Sequence, residues 1–116
     1  MKLQDLFNEK PTKKWHERMV EYGDDLFTPE RLELSDKLID KYLNELNLLQ
    51  GNPDQEKVMA SVEEIVISFN HLNEDNDYFI ETMEREELAE FIVKAARLAG
   101  LEVEEGQDIT EEWREW

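Results

Sequence analysis

The chain has 116 residues, and 30 Asp and Glu face only 13 Lys and Arg, a formal net charge of −17. A field of that sign repels nucleic-acid phosphates and anionic membranes and attracts basic surfaces, over a Debye length of about 8 Å. Cysteine is missing, which excludes disulfides and thiolate metal sites, and no run approaches the roughly 20 apolar residues of a membrane span.

With 40% hydrophobic residues the chain can build a core, and its length fits one domain over 1–116. The charge is uneven. Residues 1–22 carry five Lys/Arg and four acids, whereas the rest carries 8 and 26. The start, Met1-Lys2-Leu3-Gln4-Asp5, lacks the apolar stretch of a secretion signal, so the expected compartment is the cytoplasm.

Taken in order, residues 2–9 have the makings of a turn or two through Leu3, Leu6 and Phe7. Residues 12–22 place Trp15, Met19 and Tyr22 on one helical face. Thr28-Pro29 opens a long helix over 29–49, with Leu32, Leu38, Ile39, Tyr42, Leu46 and Leu49 on its apolar side. Gly51-Asn52-Pro53 closes it. The next helix, 53–72, is predicted to be capped by Asn52, with Gln55 completing a capping box. Val58, Val62, Ile65, Phe69 and Leu72 make its stripe, widened by Met59 and Val66. So short a connection predicts antiparallel neighbours.

A further helix is predicted from about Met83 to Ala99. Thr82 can cap it, Glu84, Glu86 and Glu87 suit its first turns, and Gly100 stops it. Leu88, Phe91, Ile92, Ala95 and Leu98 form its buried side. Asp108 and Glu111 match a capping box, and Ile109, Trp113 and Trp116 recur at helical spacing, which predicts a short terminal helix. Only Tyr78-Phe79-Ile80 and Val103 have β-like character, too briefly for a strand.

Four candidate chemistries follow. Residues 73–84 put Asn73, Asp75, Asp77 and Glu84 at positions one, three, five and twelve of an EF-hand-like calcium loop. Tyr78 stands where that loop needs glycine, so an Asn/Asp-rich interhelical loop is the simpler reading. Acid pairs such as Glu84/Glu87 and Glu86/Glu90 could ligate a metal, but neither His16 nor His71 follows a Glu by three, and a solvated face accounts for them. Ser35, Ser61 and Ser68 lie within predicted helices rather than in a nucleophile elbow. The cluster Lys13-Lys14-Trp15-His16-Arg18 has the composition of a phosphate-contacting patch, yet the rest of the chain is acidic. Its cations are expected to dock on that body and relieve self-repulsion.

Leu72-Asn73, Phe79-Ile80-Glu81-Thr82, Arg85-Glu86-Glu87-Leu88, Glu90-Phe91-Ile92, Ala95-Ala96, Gly100 and the ending Asp108-Ile109-Thr110-Glu111-Glu112-Trp113-Arg114-Glu115-Trp116 carry a resemblance. Over roughly 62–116 the chain resembles small acidic bacterial proteins of unknown function, some similar to toxin-immunity proteins. The resemblance implies a bacterial cytosolic setting and a mainly helical fold, and carries over no site residues.

The expected fold is all-α: a single-domain bundle with two long antiparallel helices, a third packed helix and short terminal helices. The expected function is non-enzymatic binding of a basic protein partner, of the immunity type, without cofactor, nucleic acid or membrane. Glu102, Glu104, Glu105, Glu111, Glu112 and Trp116 form the expected contact zone. The alternatives are calcium binding through the 73–84 loop and a small enzyme of unassigned chemistry.

Overall fold

Apolar residues at spacings of three and four demand helices, and helices are what form. The computed structural model describes residues 2–22, 28–49, 54–76, 78–104 and 106–116, and no strand occurs among them. A 3-10 helix spans Leu3–Asn8. Four α-helices follow: α1 (Pro11–Tyr22), α2 (Pro29–Leu49), α3 (Gln55–Asp75) and α4 (Thr82–Leu98).

The interhelical turns explain where each helix begins and ends. Thr28 caps α2 through its hydroxyl, which accepts the Arg31 N–H at 3.1 Å. The predicted cap of α3 needs correcting. Asp54 fills that role, accepting from Glu56 N at 3.0 Å and Lys57 N at 3.4 Å, while Asn52 and Pro53 lie outside the described residues. Gln55 is thus the first residue of α3, and the capping box predicted with Asn52 lies outside the described residues. The Gln55 amide donates to the Gly100 carbonyl at 2.9 Å and accepts from Glu102 N at 3.0 Å, tying the start of α3 to the chain after α4.

Between α3 and α4 the chain turns on Asn73, which is buried. Its carbonyl accepts from Tyr78 N at 2.8 Å and its side chain from Ile80 N at 2.9 Å. Tyr78 there takes φ +56°, the left-handed region that glycine adopts without strain. Thr82 lies inside α4 rather than capping it. Glu81 is the cap residue, with no side-chain bond to the helix. At the other end α4 closes as predicted. Gly100 has φ +108°, its N–H bonds to Arg97 O, and Leu101 N bonds to Ala96 O, a Schellman arrangement with Leu101 buried.

One connected core results. The face of α3 is buried at Val58, Val62, Ile65, Val66 and Phe69, with Leu72 and Met59 partly buried. It meets Ile39, Tyr42, Leu43 and Leu46 of α2, and these two helices share the most extensive interface. Leu88, Phe91, Ile92 and Ala95 contribute from α4, Trp15 from α1, and Leu3 and Leu6 from the 3-10 helix. Tyr42 is 1% exposed, and its hydroxyl donates to the Ile92 carbonyl at 2.7 Å. That satisfies a polar atom that would otherwise be costly to bury.

The predicted terminal helix does not form. Residues 109–113 are turns. The reason is local competition. Asp108 Oδ1 accepts from Thr110 N at 2.9 Å and from the Thr110 hydroxyl, and Asp108 Oδ2 pairs with Arg114 at 2.7 Å. Such bonds offer the backbone an alternative to helix.

Candidate functional site

The C-terminal segment after α4 carries the expected contact zone, and four fastenings hold it. Gln55 grips its start. Arg97 Nη2 donates to the Glu104 carbonyl at 2.8 Å. Asn70 on α3 donates to the Trp113 carbonyl at 2.8 Å and accepts from Glu115 N at 2.9 Å. Last, Trp116 Nε1 donates to the Val66 carbonyl at 3.3 Å.

Trp116 therefore takes the inward place that its spacing with Ile109 and Trp113 suggests, rather than a partner-facing one. It is 8% exposed and stacks edge-on against Phe69, ring centroids 6.4 Å apart. The Arg114 guanidinium lies 5.6 Å from its ring centroid. The ring anchors the segment and offers no face to a partner. By contrast Glu102, Glu104, Glu111 and Glu112 are all exposed, and Glu105 lies outside the described residues. Around them Asp108 is held below the usual carboxylate range. Burial alone would raise it, but hydrogen bonds from Thr110 and the charge of Arg114 prevail.

Two of the four candidate calcium ligands, Asn73 and Glu84, have other duties. Asn73 and Asp75 belong to the last turn of α3 rather than to a loop, and the Asn73 side-chain oxygen is taken by Ile80 N. Glu84 is buried and pairs with Arg18 of α1 at 3.3 Å, and Asp77 lies outside the described residues. No group of three or more His, Asp or Glu is placed to hold a metal among the described residues.

Glu84 and Glu87 also overturn the reading of a solvated acidic face. Arg18 bridges both carboxylates, with Lys14 3.9 Å from Glu87. Burial would lower the Arg18 pKa, but hydrogen bonding and charge from Glu87, then Glu84, raise it instead. Lys10 behaves likewise. Burial opposes its charge, and Asp40 and Asp36, at 2.8 and 2.9 Å, outweigh that and raise its pKa. Thr12 adds a bond to Asp36 at 2.8 Å. The basic N-terminal cluster thus docks on α2 and α4, with Lys10, Lys14 and Arg18 making the contacts.

His16 and His71 are exposed, whereas Ser35 and Ser61 are buried within α2 and α3. His16 lines a cleft of about 510 Å³ together with Phe7, Thr12 and Asp36. A larger cleft, about 920 Å³, runs between α4 and residues 106–114. Sequence periodicity could not find it, because its walls, Arg85 to Leu98 and Gly106 to Arg114, come from separate segments of the chain.

Among the described residues no helix is long and apolar enough to cross a membrane. No family model, curated protein or solved structure matches the chain.

Proposed function

We propose that this chain is a non-enzymatic binding module that presents an acidic surface to a basic protein partner. One observation carries the reading. Glu102, Glu104, Glu111 and Glu112 are exposed on a segment whose backbone is fastened to α3 and α4. Side chains on a fixed backbone lose less entropy on binding than those on a loose tail. Clustered charge of one sign also steers a partner of the opposite sign and speeds encounter.

In this reading α2 and α3 form an antiparallel hairpin that serves as a rigid platform. Lys41 of α2 pairs with Glu64 of α3, and Leu38, Tyr42 and Glu45 share a crevice with Ser61, Ile65 and Ser68. Both features support that pairing. The resemblance of residues 62–116 to small acidic bacterial proteins, some immunity-like, makes a toxin such as a nuclease the partner class. It also makes the bacterial cytoplasm the setting.

The test is co-purification with the product of the adjacent gene, followed by affinity measurement over a salt series. Binding should weaken as salt rises, and reversing Glu102, Glu104, Glu111 and Glu112 to Lys should weaken it by about tenfold or more. Affinity unchanged by charge reversal would remove this surface from the function.

A further inference from the structure

The cleft between α4 and the C-terminal segment runs against the charge of the whole molecule. Eight Lys and Arg follow residue 22, and four of them, Arg85, Lys94, Arg97 and Arg114, line this one opening. Acids outnumber bases by more than two to one in the chain, yet the side chains of Arg85 and Lys94 make no ion pair or hydrogen bond among the described residues. Three carboxylates also line the cleft. Asp108 is spent on Arg114 and Thr110, which leaves Glu86 and Glu90 against Arg85, Lys94 and Arg97, a net positive lining.

The cations are arranged rather than scattered. Arg85, Ala89, Val93 and Arg97 follow one another at intervals of four, so they share a face of α4. The two arginines stand about 18 Å apart along the helix, at 1.5 Å per residue. The small side chains of Ala89 and Val93 leave room between them. Arg97 is held through Nη2 by the Val103 and Glu104 carbonyls. Arg114 is held through Nη1 by Asp108 and lies over the Trp116 ring. A guanidinium has five N–H donors, so both keep donors for a ligand, and their positions are set in advance. Gly106 forms part of the rim with φ +81°, and the space where a side chain would stand is empty. A cleft of about 920 Å³ lies in the range of small-molecule sites.

We infer that this cleft binds a small polyanion, a ligand with two or more carboxylate or phosphate groups. The unpaired Arg85 and Lys94 supply new contacts, and the fastened Arg97 and Arg114 supply preset ones. The residues differ from the acidic contact surface, so this inference and the proposed function stand or fall separately.

Citrate and pyrophosphate are the probes, titrated into the full chain at low salt by calorimetry and by amide NMR. One-to-one saturable binding is expected below about 1 mM for at least one probe, and which one responds separates carboxylate from phosphate ligands. The Gly106 and Gln107 amides should shift while that of Lys57 on α3 does not. The double variant Arg85→Gln/Lys94→Gln loses no ion pair or side-chain hydrogen bond within the fold and should remain folded, yet bind about tenfold or more weakly. Absence of saturable binding by either probe overturns the inference. So do shifts spread evenly over all basic residues, or unchanged affinity in the double variant.

Discussion

The side-chain amide of Asn70 donates to the Trp113 carbonyl at 2.8 Å, across 43 residues of sequence. The same amide accepts from Glu115 N, so one buried side chain satisfies two backbone groups of a segment with no helix of its own. Asn70→Ala should cost about 1–3 kcal/mol, since both groups lose their partner. Amide exchange of residues 110–116 should speed up more than that of α2. Uniform acceleration would mean that Asn70 supports the whole fold rather than this segment.

Phe69 sits under the same segment, fully buried and edge-on to Trp116. Phe69→Ala should cost about 3–5 kcal/mol through lost transfer energy and the cavity left behind. A double-mutant cycle with Trp116→Ala should give a coupling of about 0.5–1.5 kcal/mol, the usual range for an edge-to-face pair. Denaturant titration measures both. A loss under about 1 kcal/mol would place this face outside the core.

Arg18 joins α1 to α4 through Glu84, which is buried, and Glu87. Arg18→Met should destabilise by about 2–3 kcal/mol, less than for a fully dry pair because water still reaches Arg18. The larger part of that loss is a stranded carboxylate. Adding Glu84→Gln to Arg18→Met should therefore restore stability rather than lower it further. Additive losses would show that Arg18 acts through packing of its stem.

What was legible in the sequence is what repeats at short range. The stripes of α2, α3 and α4, the Thr28 cap and the Gly100 stop all follow from residues within one or two turns of each other. Gln55 read as a local capping partner, Asn73 as a loop residue and Asn70 carried no signal, and nothing near them in sequence announced their partners. Glu84 looked like a first-turn acid. Its burial depends on Arg18, 66 positions earlier. The terminal helix was misread because Asp108 and Thr110, apt residues for starting a helix, bond to one another and to Arg114 instead. The contact zone divides on the same principle: Glu102, Glu104, Glu111 and Glu112 remain outside, and Trp116 goes inside because Phe69 and the Val66 carbonyl receive it.

Four groups with raised pKa values matter at alkaline pH. Burial raises Tyr42, the hydrogen bond and charge of Glu64 raise Lys41, and Lys10 and Arg18 are raised by their carboxylate partners despite burial. A group raised in the folded state contributes its full stability below its unfolded pKa and loses it as pH rises through the folded value. The unfolded values for Tyr and Lys are about 10 and 10.4, so stability should hold to about pH 9.5 and fall steeply beyond. Tyr42→Phe should lower stability at neutral pH by about 1 kcal/mol, for one hydrogen bond, and make the alkaline decline shallower. An equally steep decline in the variant would assign the loss to lysine and arginine alone.

The overall charge predicts how salt and mild acid act. Many like charges repel more strongly on a compact body than on an expanded chain. Some acids are paired in place, Asp36 and Asp40 with Lys10 and Glu84 and Glu87 with Arg18, but the net of −17 already counts those two cations and stands undiminished. Partial neutralisation of that excess relieves repulsion more on the compact body than on the expanded chain, so acidification from neutral should first stabilise. Asp108 works in the opposite sense. Its depressed pKa gives stability above the unfolded value, which is lost as pH falls through the folded one. Stability should therefore rise as pH drops below neutral, then collapse once paired acids such as Asp108 are protonated. Added salt screens the repulsion and should raise the melting temperature at neutral pH, with most of the gain by about 0.15 M, where the Debye length is about 8 Å. Thermal melts over pH and salt decide the matter, and a melting temperature that falls with added salt would show that the specific ion pairs, not the excess charge, dominate.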